Sequence, residues 1–477
     1  MWEEINMEKT VKYTHRYLAR IIIEATTPLA MGTGEGNVMT DRLIATDVNG
    51  LPYIPGTALA GVLRNALTTI DNGNEMNELF GFQKGDKGLG SRLILSSAQL
   101  VGCDGKVIDG IQSIPFDTEF YGNFLTLPIR QHVRISHKGA SDGGGKFDEQ
   151  VVYKGTRFCF EMELVGTADD SIVWNELLAQ FMTPGFRLGG GTRKGFGEVT
   201  ICECRAKKID LTKNLQAYLD KTSELNDLFW ESIFKLIPEP GQSEWMKYEI
   251  TLTPDDFFLF GSGFGTDNAD MSYVTEKVIV GWDEANARFS EEKVLIPASS
   301  VKGALAHRVA FHYNKTKKVF ADTMTEELLK KEGYIMDVDC KPEQNRLIEI
   351  ATKGNPAVRS LFGYSAKGDD GQRGNTILSD LHLNTEANPK LLNHVAIDRF
   401  TSGAMDGALF SEEVVGSKET FVLTCLINIS VKPEYLEAFD STLKDLCVGM
   451  LPFGGVTMRG HGCFTGTFTK ELKGIKI

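Results

Sequence analysis

The chain carries eight cysteines, yet no two of them form a Cys-x-x-Cys pair. Zinc-finger and dithiol redox chemistry therefore have no frame here, and neither has a disulfide scaffold. Cys202 and Cys204 stand two apart, the spacing of same-face neighbours on a strand. The cysteines read as ordinary thiols of a cytoplasmic protein. Long apolar runs are missing too. The opening stretch "MWEEINMEKTVKYTHRYLARIIIEA" mixes acids and bases around one short apolar run, which reads as neither a signal peptide nor a membrane span. Positive charge is in deficit: 51 Lys and Arg face 64 Asp and Glu, a net charge of −13. Bulk charge thus argues against a free nucleic-acid binder and leaves room only for a local basic groove. Phosphate signatures are equally scarce. No glycine run ends in Gly-Lys-Ser/Thr, and no helix pattern follows "GTGEG" at Gly32–Gly36, so neither a P-loop nor a dinucleotide fingerprint is present.

What the sequence does contain is one unit written twice. The length of 477 residues suits two domains, and 42% hydrophobic residues can fill their cores. "LPYIPGTALAGVLRNAL" (Leu51–Leu67) has its counterpart in "VLIPASSVKGALAHRV" (Val294–Val309). A Leu-Phe-Gly-aromatic string with a nearby Lys-Gly starts at Leu79 and again at Leu361. His-Val-x-Ile occurs at His132 and at His394. Each copy ends in a glycine loop, "GGGTRKGFG" (Gly189–Gly197) and "GGVTMRGHG" (Gly454–Gly462). Both copies alternate strand, helix, strand, strand, helix, strand. That is the split βαβ, or ferredoxin-like, order of an α+β fold, with the polar glycine-rich stretches as insertions. The first unit is expected over 1–210, a Pro/Gly-marked linker over 211–242, and the second unit over 243–477. The second copy is longer between its Ile-Pro turn and its Leu-Phe-Gly string, which predicts an inserted helical element near 315–354.

Several residues carry chemistry in this pattern. At each Ile-Pro turn the proline ends an extended run, Gly56 allows close approach, and Thr57, or Ser299 or Ser300, is expected to cap the helix that follows. Such a helix start also presents N–H groups to an anion, with Lys302 one turn in. The closing glycine loops place Arg193, Lys194 and Arg459 among residues that let a backbone approach a phosphate. Arg130, Arg134 and Arg399 flank the paired histidines His132 and His394, where phosphate contact competes with surface ion pairing. The histidines could serve packing, phosphate contact or general-base chemistry.

The Leu-Pro-x-Ile-Pro-Gly-Thr-x-Leu-x-Gly-x-Leu-Arg string ending at Arg64, the Leu-Phe-Gly string, the closing glycine loops and "HVAIDRFTSGA" (His394–Ala404) resemble the RAMP (repeat-associated mysterious protein) superfamily of CRISPR systems. Within it the sequence is most similar to the backbone subunit of type III effector complexes, twice over along nearly the whole chain. The resemblance implies two tandem domains that bind CRISPR guide RNA, insert a thumb hairpin into the guide–target duplex and stack on other effector subunits, with no membrane partner. It also implies cleavage of complementary target RNA by an aspartate in the loop before the Ile-Pro turn, which in this chain is Asp41, with a divalent metal, magnesium or manganese, as cofactor. In the second copy a count back along the strand puts Glu276 opposite Asp41, while Asp270 lies in the looser part of the loop, and both are candidates. RNA contacts are implied for Thr57, Arg64, Arg130, His132, Arg134, Arg193, Lys194, Ser299, Ser300, Lys302, His394, Arg399 and Arg459. A non-catalytic guide-binding scaffold and a guide-processing ribonuclease stand as the alternatives.

Overall fold

The structure, a computed structural model, describes residues 13–67, 73–136, 139–233, 235, 244–284, 286–338, 345–364, 371–384, 388–472 and 475–476. Its two units are mixed α+β. In the first, an antiparallel sheet runs in the order Leu93–Leu95, Arg157–Gly166, His15–Ala25, Val199–Asp210. The second repeats it as Thr376–Leu378, Phe421–Asn428, Trp245–Pro254, Phe464–Leu472, with Ile475–Lys476 added at the edge.

The sheets form where side chains alternate. In "HRYLARIIIEA" Tyr17, Ala19, Ile21 and Ile23 all enter the main core. The helix Gly56–Leu67 closes that core with Leu59, Leu63 and Leu67, one per turn, and Ser171–Gln180 adds Trp174, Leu177 and Leu178. Fully burying a leucine contributes about 1.5–3 kcal/mol, so the spaced leucines, not helix propensity, hold this short helix. The second core is built alike by Ala298–Thr316 and Pro433–Cys447. At the helix start Gly56 does permit a close approach, since a Cβ there would stand 2.6 Å from the Leu95 carbonyl oxygen.

Two local details differ from the sequence expectation. Thr57 lies exposed within the first helical turn. Ser299 and Ser300 do not cap the second helix either: Pro297 holds the cap position, and the first-turn N–H of Ala298 is taken at 2.8 Å by Asp380, which follows the strand Thr376–Leu378. A proline cap has no side-chain acceptor, so a distant carboxylate supplies one. The stretch after the first unit is also more than a tether. Trp230 is fully buried against Leu18 and Ile209 on the back of the first sheet, and its indole N–H donates to Glu161 at 2.6 Å. The Pro/Gly stretch 236–243 lies outside the described residues. Within 315–354 the helices Glu326–Lys331 and Arg346–Thr352 send Leu329 and Ile350 into the second core, so this element is packed into the unit.

Each unit projects a two-stranded hairpin: Ile129–Ile135 with Ser141–Gln150, and Asn388–Ile397 with Ala404–Gly416. In the first His132 faces Phe147; in the second His394 faces Phe410.

Candidate functional site

Asp41 docks on the base of the first hairpin. Its backbone N–H donates to Asp148 Oδ1 at 2.8 Å, and its Oδ2 accepts the backbone N–H of Asp148 at 3.0 Å. Asp41 is exposed, and its Oδ1 makes no hydrogen bond among the described residues. The next hairpin residue, Glu149, points inward and is buried. Three other segments converge on its carboxylate: His132 Nε2 at 2.8 Å, Lys194 Nζ from the glycine loop at 3.2 Å and Arg42 at 3.5 Å. The His132 ring stacks on Phe147 at 4.8 Å, and Lys194 sits over the same phenyl ring at 4.3 Å. Burial alone would raise the Glu149 carboxyl; the bond to His132 and the charge of Lys194 outweigh it and bring it down to about 2.

The second unit repeats this arrangement around Asp270. Asp270 donates its backbone N–H to Ser411 Oγ at 3.1 Å, and its Oδ2 accepts the Ser411 backbone N–H at 2.7 Å and the hydroxyl at 3.1 Å. Its Oδ1 likewise makes no hydrogen bond among the described residues. The next residue, Glu412, is fully buried and bonded to His394 at 2.9 Å, Arg459 at 2.8 Å and His461 at 3.2 Å. His394 stacks on Phe410 at 5.0 Å, and the Arg459 guanidinium lies 4.4 Å from that ring. Asp270, not Glu276, is thus the geometric counterpart of Asp41. Glu276 sits on the short strand Thr275–Glu276, buried and ion-paired with Arg130 of the first hairpin. The register count misplaces it because the loop before the second Ile-Pro turn is longer than the first.

The other predicted residues divide into three groups. Arg193, Lys194 and Lys302 meet where the units join. Arg193 donates to the Gly374 carbonyl at 2.8 Å, and Arg373 reaches Thr192 at 3.2 Å. Burial, then the charges of Arg373 and Arg187, bring Arg193 down to about 9; burial, then Arg193 and Lys194, bring Lys302 down to about 8. Lys194 is already paired with Glu149, while burial and like charge disfavour the charged forms of Arg193 and Lys302. Arg134 and Arg399 are exposed on the hairpins, Arg399 in a turn held by Asp398. Arg64 and Arg130 face inward instead. Arg64 ties the Leu-Phe-Gly turn through the Gly81 carbonyl at 2.9 Å and Asn77 at 2.7 Å. Arg130 is buried between Glu276 and Asp380, the latter 3.1 Å away. Its fork pairs both carboxylates, and its charge outweighs the burial that would otherwise hold Glu276 un-ionised.

Sequence reasoning missed Glu149 and Glu412. The signal was there: Phe147-Asp148-Glu149 and Phe410-Ser411-Glu412 share Phe-x-Glu at the same hairpin register.

The duplicated geometry agrees with a comparison against protein families, in which the RAMP superfamily matches residues 22–200 and 253–465. The chain belongs to the RAMP superfamily. It is accordingly a CRISPR-associated RNA-binding subunit, with two RAMP regions in tandem. A comparison with curated proteins returns no match. Both matched RAMP regions span an aspartate–hairpin clasp and a closing glycine loop. Among the described residues no helix is long and apolar enough to cross a membrane, and no group of three or more His, Cys, Asp or Glu side chains could hold a metal ion.

Proposed function

We propose that this chain is a two-unit backbone subunit of a type III-like CRISPR effector complex, and that it cleaves RNA complementary to its guide at Asp41 and at Asp270. Each unit is read as ferredoxin-like, which the shared strand order supports. The observation that carries the reading is the repeated clasp: in both units one aspartate oxygen is fixed by a hairpin backbone N–H and the other accepts no hydrogen bond among the described residues, beside a loop bearing Lys194 or Arg459. A fixed carboxylate at the foot of a hairpin, with cations to neutralise phosphate, is what in-line RNA cleavage asks of a protein. The RNA brings its own nucleophile, the ribose 2′-OH. Its oxygen bonds to the neighbouring phosphorus, the P–O5′ bond breaks, and the proton lost from the 2′-OH is balanced by one gained at O5′.

A magnesium ion, if bound, would neutralise charge at that phosphate. Magnesium keeps several waters and commonly takes one or two carboxylates plus substrate oxygens, which Asp41 with its neighbour Asp148 suits; in the second unit Asp270 has Ser411 in place of a second carboxylate. Guide RNA is held along both units, with the Arg193–Lys194–Lys302 cluster as its phosphate seat at the join. That local seat reconciles RNA binding with a net charge of −13.

The test is a cleavage assay on the guide-loaded complex with end-labelled complementary RNA, with and without magnesium. Asp41→Ala removes one product and Asp270→Ala a different one, while Glu276→Gln removes neither. A ladder unchanged by both aspartate substitutions would leave a guide-binding scaffold.

A further inference from the structure

We infer that Glu149 and Glu412 are positioning residues for the two aspartates, each setting the rate of its own unit's cut without touching RNA. This rests on the cleavage reading above. Each glutamate directly follows the residue whose backbone N–H holds the aspartate, Asp148 for Asp41 and Ser411 for Asp270. Successive strand residues point to opposite faces, so the N–H bond holds the aspartate loop while the next side chain reaches into the hairpin base. There it joins the facing hairpin strand, through His132 or His394, to the glycine loop, through Lys194 or Arg459.

The pattern survives several local changes of sequence. Around the glutamate the second unit replaces Lys194 by Arg459, Phe196 by His461 and Asp148 by Ser411, yet a buried carboxylate paired with a histidine and a loop cation persists. Burying a carboxylate is costly unless several partners meet it, and those partners then fix its place. Release of this anchor frees the strand that carries the aspartate's N–H donor. A misplacement of about 1 Å can cost on the order of 10²-fold in rate.

The duplication supplies an internal control, because both cuts are read from one chain in one reaction. Glu149→Gln keeps the shape and removes the charge. It is expected to lower kcat for the Asp41-dependent cut by about 10–100-fold, the range typical of groups that orient a reactive ligand. KM for target and the Asp270-dependent cut stay as in the wild type. Glu412→Gln gives the mirror result. Glu149→Asp recovers part of the lost rate, since charge returns on a shorter arm. His132→Asn, which removes one partner and leaves the carboxylate, slows the same cut more mildly and serves where Glu149→Gln assembles poorly. An unchanged Asp41-dependent rate in Glu149→Gln overturns the inference. So does an equal loss of both cuts, which marks a general structural role, or a rise in KM alone, which marks target binding. If Asp41→Ala and Asp270→Ala leave every product, the cleavage reading itself falls and the inference with it.

Discussion

Replacing Arg130 by methionine tests the junction between the units. Arg130 reaches from the first hairpin into the second unit, where its guanidinium meets Glu276 through two nitrogens and Asp380 through the third. All three side chains are buried, and Asp380 also holds the Ala298 N–H. Methionine keeps much of the packing against Phe196 but strands two carboxylates. Breaking a buried pair in this way costs about 3–5 kcal/mol, mostly from the charges left behind. The pH dependence identifies the cause. In the wild type burial favours the neutral form of Glu276, but Arg130 and His382 prevail and its pKa is lowered. A lowered carboxylate contributes stability above its unfolded value, about 4.3, and that contribution is lost as pH falls through the lowered folded value. Without Arg130, burial acts on both carboxylates against only His382 and the Ala298 N–H and is expected to raise them; Asp380 is raised by burial even with Arg130 present. A raised carboxylate destabilises as pH climbs through its folded value, so the variant's deficit is largest near pH 7 and shrinks toward pH 5. Urea unfolding of both chains, followed by tryptophan fluorescence at pH 7 and pH 5, reads this directly. A deficit under about 1 kcal/mol at pH 7, the level of an exposed ion pair, would refute the reasoning, and so would a deficit equal at both pH values.

Lys302→Met is expected to act in opposite directions on the free and the RNA-bound chain. Burial and the charges of Arg193 and Lys194 lower Lys302 to about 8, so the RNA-free fold gains stability as pH rises from that value toward the unfolded lysine range. The substitution should therefore raise the melting temperature of the RNA-free chain at pH 7 and weaken guide RNA binding several-fold in a filter-binding assay. Wild-type binding should itself weaken above about pH 8. Gly195 and Gly460 hold equivalent places in the two glycine loops at φ of +117° and +94°. Alanine at either costs about 1–3 kcal/mol in backbone strain. At Gly195 its Cβ would also collide with Asp380 and stand 2.8 Å from Ala298 Cβ, whereas at Gly460 nothing lies within 4 Å. Gly195→Ala should thus lower the melting temperature clearly more than Gly460→Ala, and equal losses would argue against a tight junction.

The duplication and the element order were legible because each rests on local signals: an Ile-Pro turn, apolar spacing, a repeated string. What escaped depends on contacts between distant segments. Asp380 caps a helix that begins 82 residues earlier, a partnership no cap rule along the chain can reveal. Glu276 looked equivalent to Asp41 because counting assumes loops of equal length, and the second loop carries extra residues before its Ile-Pro turn. The hairpin contact to Ser411, 141 residues away, singles out Asp270 instead. Arg130 read as a surface cation because its burial comes from the other unit. Trp230 read as linker because what it covers, the back of a sheet, is formed by strands far from it in sequence.

The two units are alike in their aspartate sites and unlike at their join, and the difference is one of charge. In the register where the first hairpin pairs Arg130 with Glu149, the second pairs Leu392 with Glu412. Among the described residues, the buried ionic link between the two units comes from the first hairpin. A hydrophobic seam would tolerate small slips, since apolar contact has no direction. A guanidinium held between two buried carboxylates does not, because any slip strands a charge. The first glycine loop meets the second unit with the same intolerance: Gly195 rests on the very carboxylate, Asp380, that Arg130 engages and that caps the second helix. One buried aspartate thus joins hairpin, glycine loop and helix start across the units. The spacing between Asp41 and Asp270 follows from that contact, and with it the spacing between the two cuts proposed for a bound RNA.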